Sequence, residues 1–330
     1  MRPAQHSPSR PGLGQAPGLG QAPDLGRAKV AILLSTFNGA PFLAAQLASL
    51  QRQTLSCWTL YWRDDGSSDG TERVMHDFMA GPEGARCIEV AGQQGRLGPT
   101  GSFMALLRAA AAADPDVIAF ADQDDVWLPE KLALGVAALG SSPAPTLYCS
   151  RQVLVDHELR RIRESELLRH PPSFPAALTQ NVATGCTVQL NRAAVQLVAS
   201  SQPPPTSLHD WWCYLVVAAA GGRLIADETP TVLYRQHPGN MVGAPPSMRR
   251  RAVAALRRGP GIFMRVLRGH VSALRAQPHL LSAAAAADLE VLDIALQSRF
   301  RQRMGALRLG GLTRQTWPET LVFRCWFLIG

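Results

Sequence analysis

Three carboxylates fall within four positions at Asp122-Gln123-Asp124-Asp125, directly after the apolar run Val117-Ile118-Ala119-Phe120. Acids this crowded repel one another unless a cation or several donors face them. A divalent ion is the simplest such partner. Mg²⁺ or Mn²⁺ suits a site with few protein carboxylates, because it completes its shell with water and substrate phosphate, so a diphosphate-bearing substrate is expected. The competing expectation is a solvated acidic turn ahead of a helix opening near Pro129-Glu130-Lys131, where aspartate is ordinary.

Two later residues also stand out by type. Asp210, in His209-Asp210-Trp211-Trp212, is ionised near neutrality and could take a proton from an attacking hydroxyl, or it could cap the helix that starts there. His237 follows Tyr234-Arg235-Gln236, and a single histidine in such a place ordinarily reads as a turn residue or a satisfied polar group.

The surrounding pattern supplies the frame. Lys29-Val30-Ala31-Ile32-Leu33-Leu34 is a continuous apolar run, as expected of a strand covered on both faces, and it ends in Ser35-Thr36-Phe37-Asn38-Gly39. A helix follows with its stripe at Phe42, Leu43, Gln46, Leu47 and Leu50. Next comes a strand at Trp58-Thr59-Leu60-Tyr61-Trp62 that runs into Arg63-Asp64-Asp65-Gly66-Ser67-Ser68-Asp69-Gly70-Thr71. A helix from Glu72, a short strand near Cys87-Ile88-Glu89-Val90 and a helix from Phe103 to Ala113 lead to the acidic strand end. Alternating strands and helices of this kind predict a mostly parallel, doubly wound α/β sheet. Gly95-Arg96-Leu97-Gly98 fits either a plain helix start or a phosphate contact. Further on, Leu147–Ser150, Gln152–Val155 and Thr231–Tyr234 read as strands, Val182–Leu190 as a strand with a glycine kink, and the segments from Arg192 and from His209 as helices.

Composition sets the outer bounds. The net charge of +8 is unevenly placed: residues 245–330 carry 14 arginines against four acids, so the remainder sums to −2. An anionic partner is therefore expected at the C-terminal quarter. In 248–258 and 262–268 arginines alternate with apolar residues, which favours a membrane surface; with little aromatic interleaving there, no nucleic acid is expected. The six cysteines form no CxxC pair and read as reduced thiols of a cytoplasmic protein. Residues 1–28, rich in Pro, Gly and Gln, read as a disordered tail without the apolar core of a signal peptide.

Leu34 to Gly39, Arg63 to Thr71, Phe120 to Trp127, His209 to Trp212 and Tyr234 to His237, in that order, resemble the family 2 glycosyltransferases of the GT-A fold, particularly the bacterial rhamnosyltransferase-like branch. The resemblance spans roughly 29–243. It implies a GT-A domain there; the charge and apolar pattern of 244–330, apart from the resemblance, reads as a basic helical C-terminal region expected at a membrane surface. The resemblance implies that Ser35, Thr36, Phe37 and Asn38 form the nucleotide cradle, that Asp64 accepts a hydrogen bond from a pyrimidine, and that Asp65 lies near base or ribose. Asp122 and Asp124 resemble the acids of a DxD motif, for ribose and metal respectively, with Asp125 as a helper and His237 as a late metal ligand. Asp210 takes the place of the catalytic base. The family's Asn before Phe is replaced by Ser102, which puts one donor contact in doubt.

The implied activity is Mg²⁺- or Mn²⁺-dependent inverting transfer of a sugar from a nucleoside-diphosphate sugar donor, dTDP- or UDP-linked, to a glycan or lipid-linked glycan acceptor. Two other readings compete. A sugar-nucleotidyltransferase would want a Gly-rich loop with Arg and Lys after the first strand, where this chain has Ser35-Thr36-Phe37-Asn38. A catalytically silent membrane-bound scaffold would have no need of Asp122, Asp124 and Asp210 together.

Overall fold

The computed structural model describes residues 28–91, 95–238, 259–298, 300–308 and 310–330. The expected tail, apart from Ala28, and the arginine-rich stretch 248–258 lie outside these residues.

The strands are β1 (Val30–Thr36), β2 (Trp58–Asp64), β3 (Cys87–Glu89), β4 (Val117–Asp122), β5 (Val126–Trp127), β6 (Thr146–Val155), β7 (Arg161–Glu164), β8 (Gln189–Asn191) and β9 (Arg223–Arg235). Between them run α1 (Ala40–Gln51), α2 (Thr71–Met79), α3 (Gly98–Ala111), α4 (Lys131–Leu139), α5 (Phe174–Ala177), α6 (Arg192–Ala199) and α7 (His209–Ala219). The C-terminal helices are α8 (Pro260–Arg275), α9 (Ala283–Gln297), α10 (Phe300–Ala306) and α11 (Trp317–Ile329). All nine strands join one sheet in the order β3-β2-β1-β4-β8-β6-β9-β5, with β7 paired to β6. The half carrying β1 to β4 is parallel, whereas β4–β8, β8–β6 and β9–β5 are antiparallel.

Because strand side chains alternate between faces, the apolar runs feed two cores at once. Ala31, Leu33, Tyr61, Ile118 and Phe120 face a core shared with α3, α6 and α7. Val30, Ile32, Leu34, Leu60, Trp62, Ala119 and Ala121 face the other, under α1 and α4. The C-terminal helices enter the first of these cores: Met264, Leu267, Val271, Leu289, Leu292, Phe323 and Phe327 are buried in it with Trp212 and Leu215 of α7. Several apolar residues among the arginines of 262–268 are thus committed to packing.

The register fixes what meets at the sheet's edge. Ser35 stands between Arg63 of β2 and Asp122 of β4, and Thr36 pairs with Asp64. The loops that could hold a ligand therefore all leave the sheet at the carboxyl end, where open α/β sheets bind.

One expected strand is replaced. Val182–Leu190 forms a 3₁₀ turn at Gly185–Thr187 and only Gln189–Asn191 is strand, because the Gly185 N–H donates to the carboxylate of Asp210 instead of to a ladder partner. Two others are longer than expected: Thr146–Val155 is one strand, and β9 begins eight residues before Thr231.

Candidate active site

The loop after β1 is held by side chains from two neighbours. Gln123 clamps Phe37 with two hydrogen bonds: the Phe37 N–H donates to Oε1 at 2.9 Å, and Nε2 donates to the Phe37 carbonyl at 2.9 Å. Gly39 leaves room for that clamp, since a Cβ there would stand 2.1 Å from Gln123 Oε1. Asn38, with φ of 49°, donates its N–H to Ser67 Oγ and accepts from the Ser68 N–H. Asp64 accepts from Thr36 Oγ1 and Ser67 Oγ on one oxygen and from the N–H groups of Gly66 and Ser67 on the other. Each oxygen offers about two lone pairs, so a base N–H can meet Asp64 only by displacing one of these donors.

Asp65 organises the glycine-rich loop. Its oxygens accept from the N–H of Leu97 at 2.7 Å and of Gly98 at 2.8 Å, from Arg63 Nη1 at 2.6 Å and from Ser102 Oγ at 3.2 Å. Burial would raise this carboxyl, but these donors hold it below the ordinary range. The first free N–H groups of α3 are therefore satisfied by a carboxylate from the end of β2. Ser102 joins that network through Arg63 as well, which gives the residue standing in the Asn position a structural task. Arg96, from the same loop, lies over the Phe37 ring at 3.6 Å and faces the cleft.

The acidic cluster sits across the sheet end. His237 Nε2 is 2.8 Å from Asp124 Oδ2, and its ring packs on Phe42 at 4.5 Å between centroids. Arg235 fastens the loop below, donating its N–H to Asp125 Oδ1 and its Nε to the Asp124 carbonyl. Asp125 Oδ2 is buried without a hydrogen-bond partner among the described residues. Burial, then Asp124 and Asp210, push Asp122 up to about 8, and Asp125 is raised by burial and by Asp124 and Asp122. The Lys131 ammonium, wholly buried over the Trp127 ring at 4.0 Å, is a partial counter-charge that burial itself lowers to about 8. Crowded acids with an orphaned oxygen fit a bound cation. One arrangement would use Asp124 and His237; Asp122, Asp125 and Cys186 also lie within 4.8 Å of one another, deeper in the fold. The second set includes a thiol that burial raises strongly, so we favour the first for a hard ion.

Asp210 stands on the far wall. Leu208, not Asp210, is the N-cap of α7, and no side chain caps that helix. Asp210 instead accepts from the Gly185 N–H at 3.0 Å and the Trp211 N–H at 2.6 Å, with Asn181 as a further donor, and burial raises it to about 6. His209 beneath it stacks on Phe103 at 4.0 Å and is pushed down to about 3 by burial, so it is neutral.

A cleft of about 1240 Å³ joins these parts. Ser35, Thr36, Phe37, Asp65, Asp122, Asp124 and Asp210 line it, whereas Asn38, Asp64 and His237 do not. Sequence reasoning missed Gln123, Arg96 and the Gly185 N–H. Of these, only Arg96, between two glycines of a loop already marked, left a sequence signal.

A parallel βα half, a mixed extension in which β4–β8, β8–β6 and β9–β5 are antiparallel but β6–β9 is parallel, and a cleft at the carboxyl ends define a GT-A-type glycosyltransferase fold. TarS of S. aureus (residues 1–349, in complex with UDP-GlcNAc) shares it, with a TM-score of 0.56 and 15% identity over 82% of this chain and 72% of that one. Residues 31–193 match the family described as glycosyl transferase family 2, which makes that segment a domain of this family. It is 24% identical over 228 residues to the dTDP-rhamnosyl transferase RfbG of Shigella flexneri, across 64% of this chain and 74% of that protein. It is also 24% identical over 130 residues, 39% of this chain and 48% of the relative, to the UDP-Glc:alpha-D-GlcNAc-diphosphoundecaprenol beta-1,3-glucosyltransferase WfgD of Escherichia coli. The matches span between 30% and 48% of the length of the first three curated relatives.

Proposed function

We propose that the protein is a metal-dependent inverting glycosyltransferase of cell-surface polysaccharide synthesis, using a dTDP- or UDP-sugar, with rhamnose the favoured sugar, and a glycan or lipid-linked glycan acceptor. The observation that carries this reading is Asp210: a buried carboxylate, oriented by three donors, in the same cleft as Asp122 and close enough for their charges to interact. The names of RfbG and WfgD support the donor and acceptor classes.

In this reading the loop 35–38, shaped by Asp64 and Gln123, cradles the nucleotide, Asp65 holds the facing loop in place, and Asp122 meets the ribose. Asp210 accepts the proton of the acceptor hydroxyl as that oxygen bonds to the anomeric carbon and the carbon–diphosphate bond breaks. Attack from the side opposite the leaving group inverts the centre. Asp124 and His237 would hold Mg²⁺ or Mn²⁺, which supplies charge neutralisation for the departing diphosphate. Among the described residues no helix is long and apolar enough to cross a membrane; the proposed place of work is the cytoplasmic face of the membrane.

The test is to mix purified protein with a panel of nucleotide sugars and Mn²⁺ and to follow nucleoside-diphosphate release. Release with one donor, and a product of inverted anomeric configuration, is expected. No release with any donor and acceptor, or retained configuration, overturns the reading.

A further inference from the structure

The outer face of α11 is apolar where a helix packed on a domain should be polar. Thr320, Phe323 and Phe327 are buried, as amphipathicity requires. On the flank beside them Trp317, Leu321, Arg324 and the half-buried Leu328 follow one another at helical spacing, so they form a single stripe. Trp317 is 74% exposed, Leu321 47% and Ile329, at the end of the helix, 73%. The only acid on this helix is Glu319, and it is held at the first turn by Thr316.

This stripe adjoins the cleft. Gln315, Thr316 and Glu319 line the cleft beside residues 165–172. Gln315 ties the two segments together, accepting from the N–H groups of Arg169 and His170 and donating to the His170 carbonyl. That segment exposes Leu167, at 50%, and Leu168, followed by the exposed Arg169. His170 then shares a small hollow with Trp317, Leu321 and Arg324. One end of the cleft thus opens through a lip of exposed apolar side chains interleaved with arginines; of the acids there, Glu319 is engaged by Thr316, and Glu166 lies on the cleft side.

We infer that this lip, formed by α11 and residues 165–172, is the surface by which the enzyme docks on an anionic lipid bilayer and takes its acceptor from the membrane plane. The inference rests on the lipid-linked acceptor reading of the proposed function. Exposed Trp and Leu suit the headgroup boundary, Arg169 and Arg324 complement anionic lipid, and continuity with the cleft sets which end faces the membrane. The docking site is thereby placed on residues other than the basic stretch 248–258.

The test is flotation of the full chain with phosphatidylcholine vesicles containing or lacking phosphatidylglycerol. The wild type should bind the anionic vesicles, less so at high salt. Trp317→Ser with Leu321→Ser should weaken that binding roughly tenfold or more. Arg324→Glu should weaken binding to anionic vesicles alone. Both variants should keep the wild-type melting temperature and donor hydrolysis, since these side chains do not line the cleft. Undiminished vesicle binding by the double variant overturns the inference. So does a wild type that ignores vesicles, or one that self-associates through this face and is made monomeric by the same substitutions. Intact, face-dependent vesicle binding without nucleoside-diphosphate release would instead refute the transferase reading and leave the docking surface standing.

Discussion

His237 lies 2.8 Å from Asp124 although 113 residues separate them. The contact exists because β9 returns alongside β5, carrying the Tyr234-Arg235-Gln236-His237 segment back over the acidic turn, where Arg235 bonds Asp124 and Asp125.

From this pairing, Asp124→Ala should abolish metal-dependent turnover, with a loss of ~10²-fold or more, because it removes the charge-stabilising centre. His237→Ala should lower the affinity for Mn²⁺ more than the affinity for a nucleoside monophosphate. Titration of nucleotide-sugar binding with and without chelator checks both, and wild-type turnover in excess chelator would exclude the metal.

Asp210→Asn should leave donor affinity nearly unchanged and collapse the rate, since the amide keeps an acceptor for the Gly185 N–H but cannot take a proton. With the Asp210 carboxyl raised to about 6, the base is competent above that pH and lost below it, so the rate should fall tenfold per unit as pH drops further. A flat profile from neutrality down to about pH 5 would exclude Asp210 as the base.

The raised carboxyl of Asp122 makes a prediction about stability. Its folded value, about 8, lies above its ordinary 3.8, so the charged form is disfavoured in the folded chain. The resulting destabilisation is absent below the ordinary value, grows through the interval and is complete above about 8. Without divalent cation the melting temperature should therefore decline as pH rises from mildly acidic to mildly alkaline. Added Mn²⁺ should stabilise more at the alkaline end. Calorimetry on wild type and Asp122→Asn checks this: the variant should lose the share of the decline that Asp122 contributes, Asp125 and Asp210 keeping theirs.

Gly39→Ala should disable the loop that is expected to hold the nucleotide. The new Cβ must displace Gln123, which breaks both hydrogen bonds to Phe37. A rise of about tenfold in the dissociation constant for nucleoside diphosphate is expected, corresponding to loss of ~1.4 kcal/mol. Unchanged affinity would show that the Phe37 loop does not touch the nucleotide.

Much of this architecture was legible because apolar runs of strand length end in small polar residues, which is what a parallel sheet with ligand loops requires. The acids, Asp210 and His237 stood out by residue type. What the sequence hid depends on register: Asp64 and Asp65 look alike in a row, yet one is saturated by its own loop together with Thr36 of β1 and the other reaches across to α3. Gly185 looked like a strand kink because its partner, Asp210, is 25 residues away. The first-turn position of Asp210 resembled a cap, and its carboxylate does take the Trp211 N–H of that turn, but the second oxygen reaches Gly185, which sequence could not show.

The burial of Phe323 and Phe327 in one core with Trp212 and Leu215 has a consequence for how the protein comes apart. The last helices are a retaining wall for α7, the helix that carries Asp210. Removing them would uncover the outer side of α7, so the base would lose its anchorage as the chain lost its tail. Heat or denaturant should accordingly melt both regions in one transition, and proteases should find no stump that still holds a working Asp210.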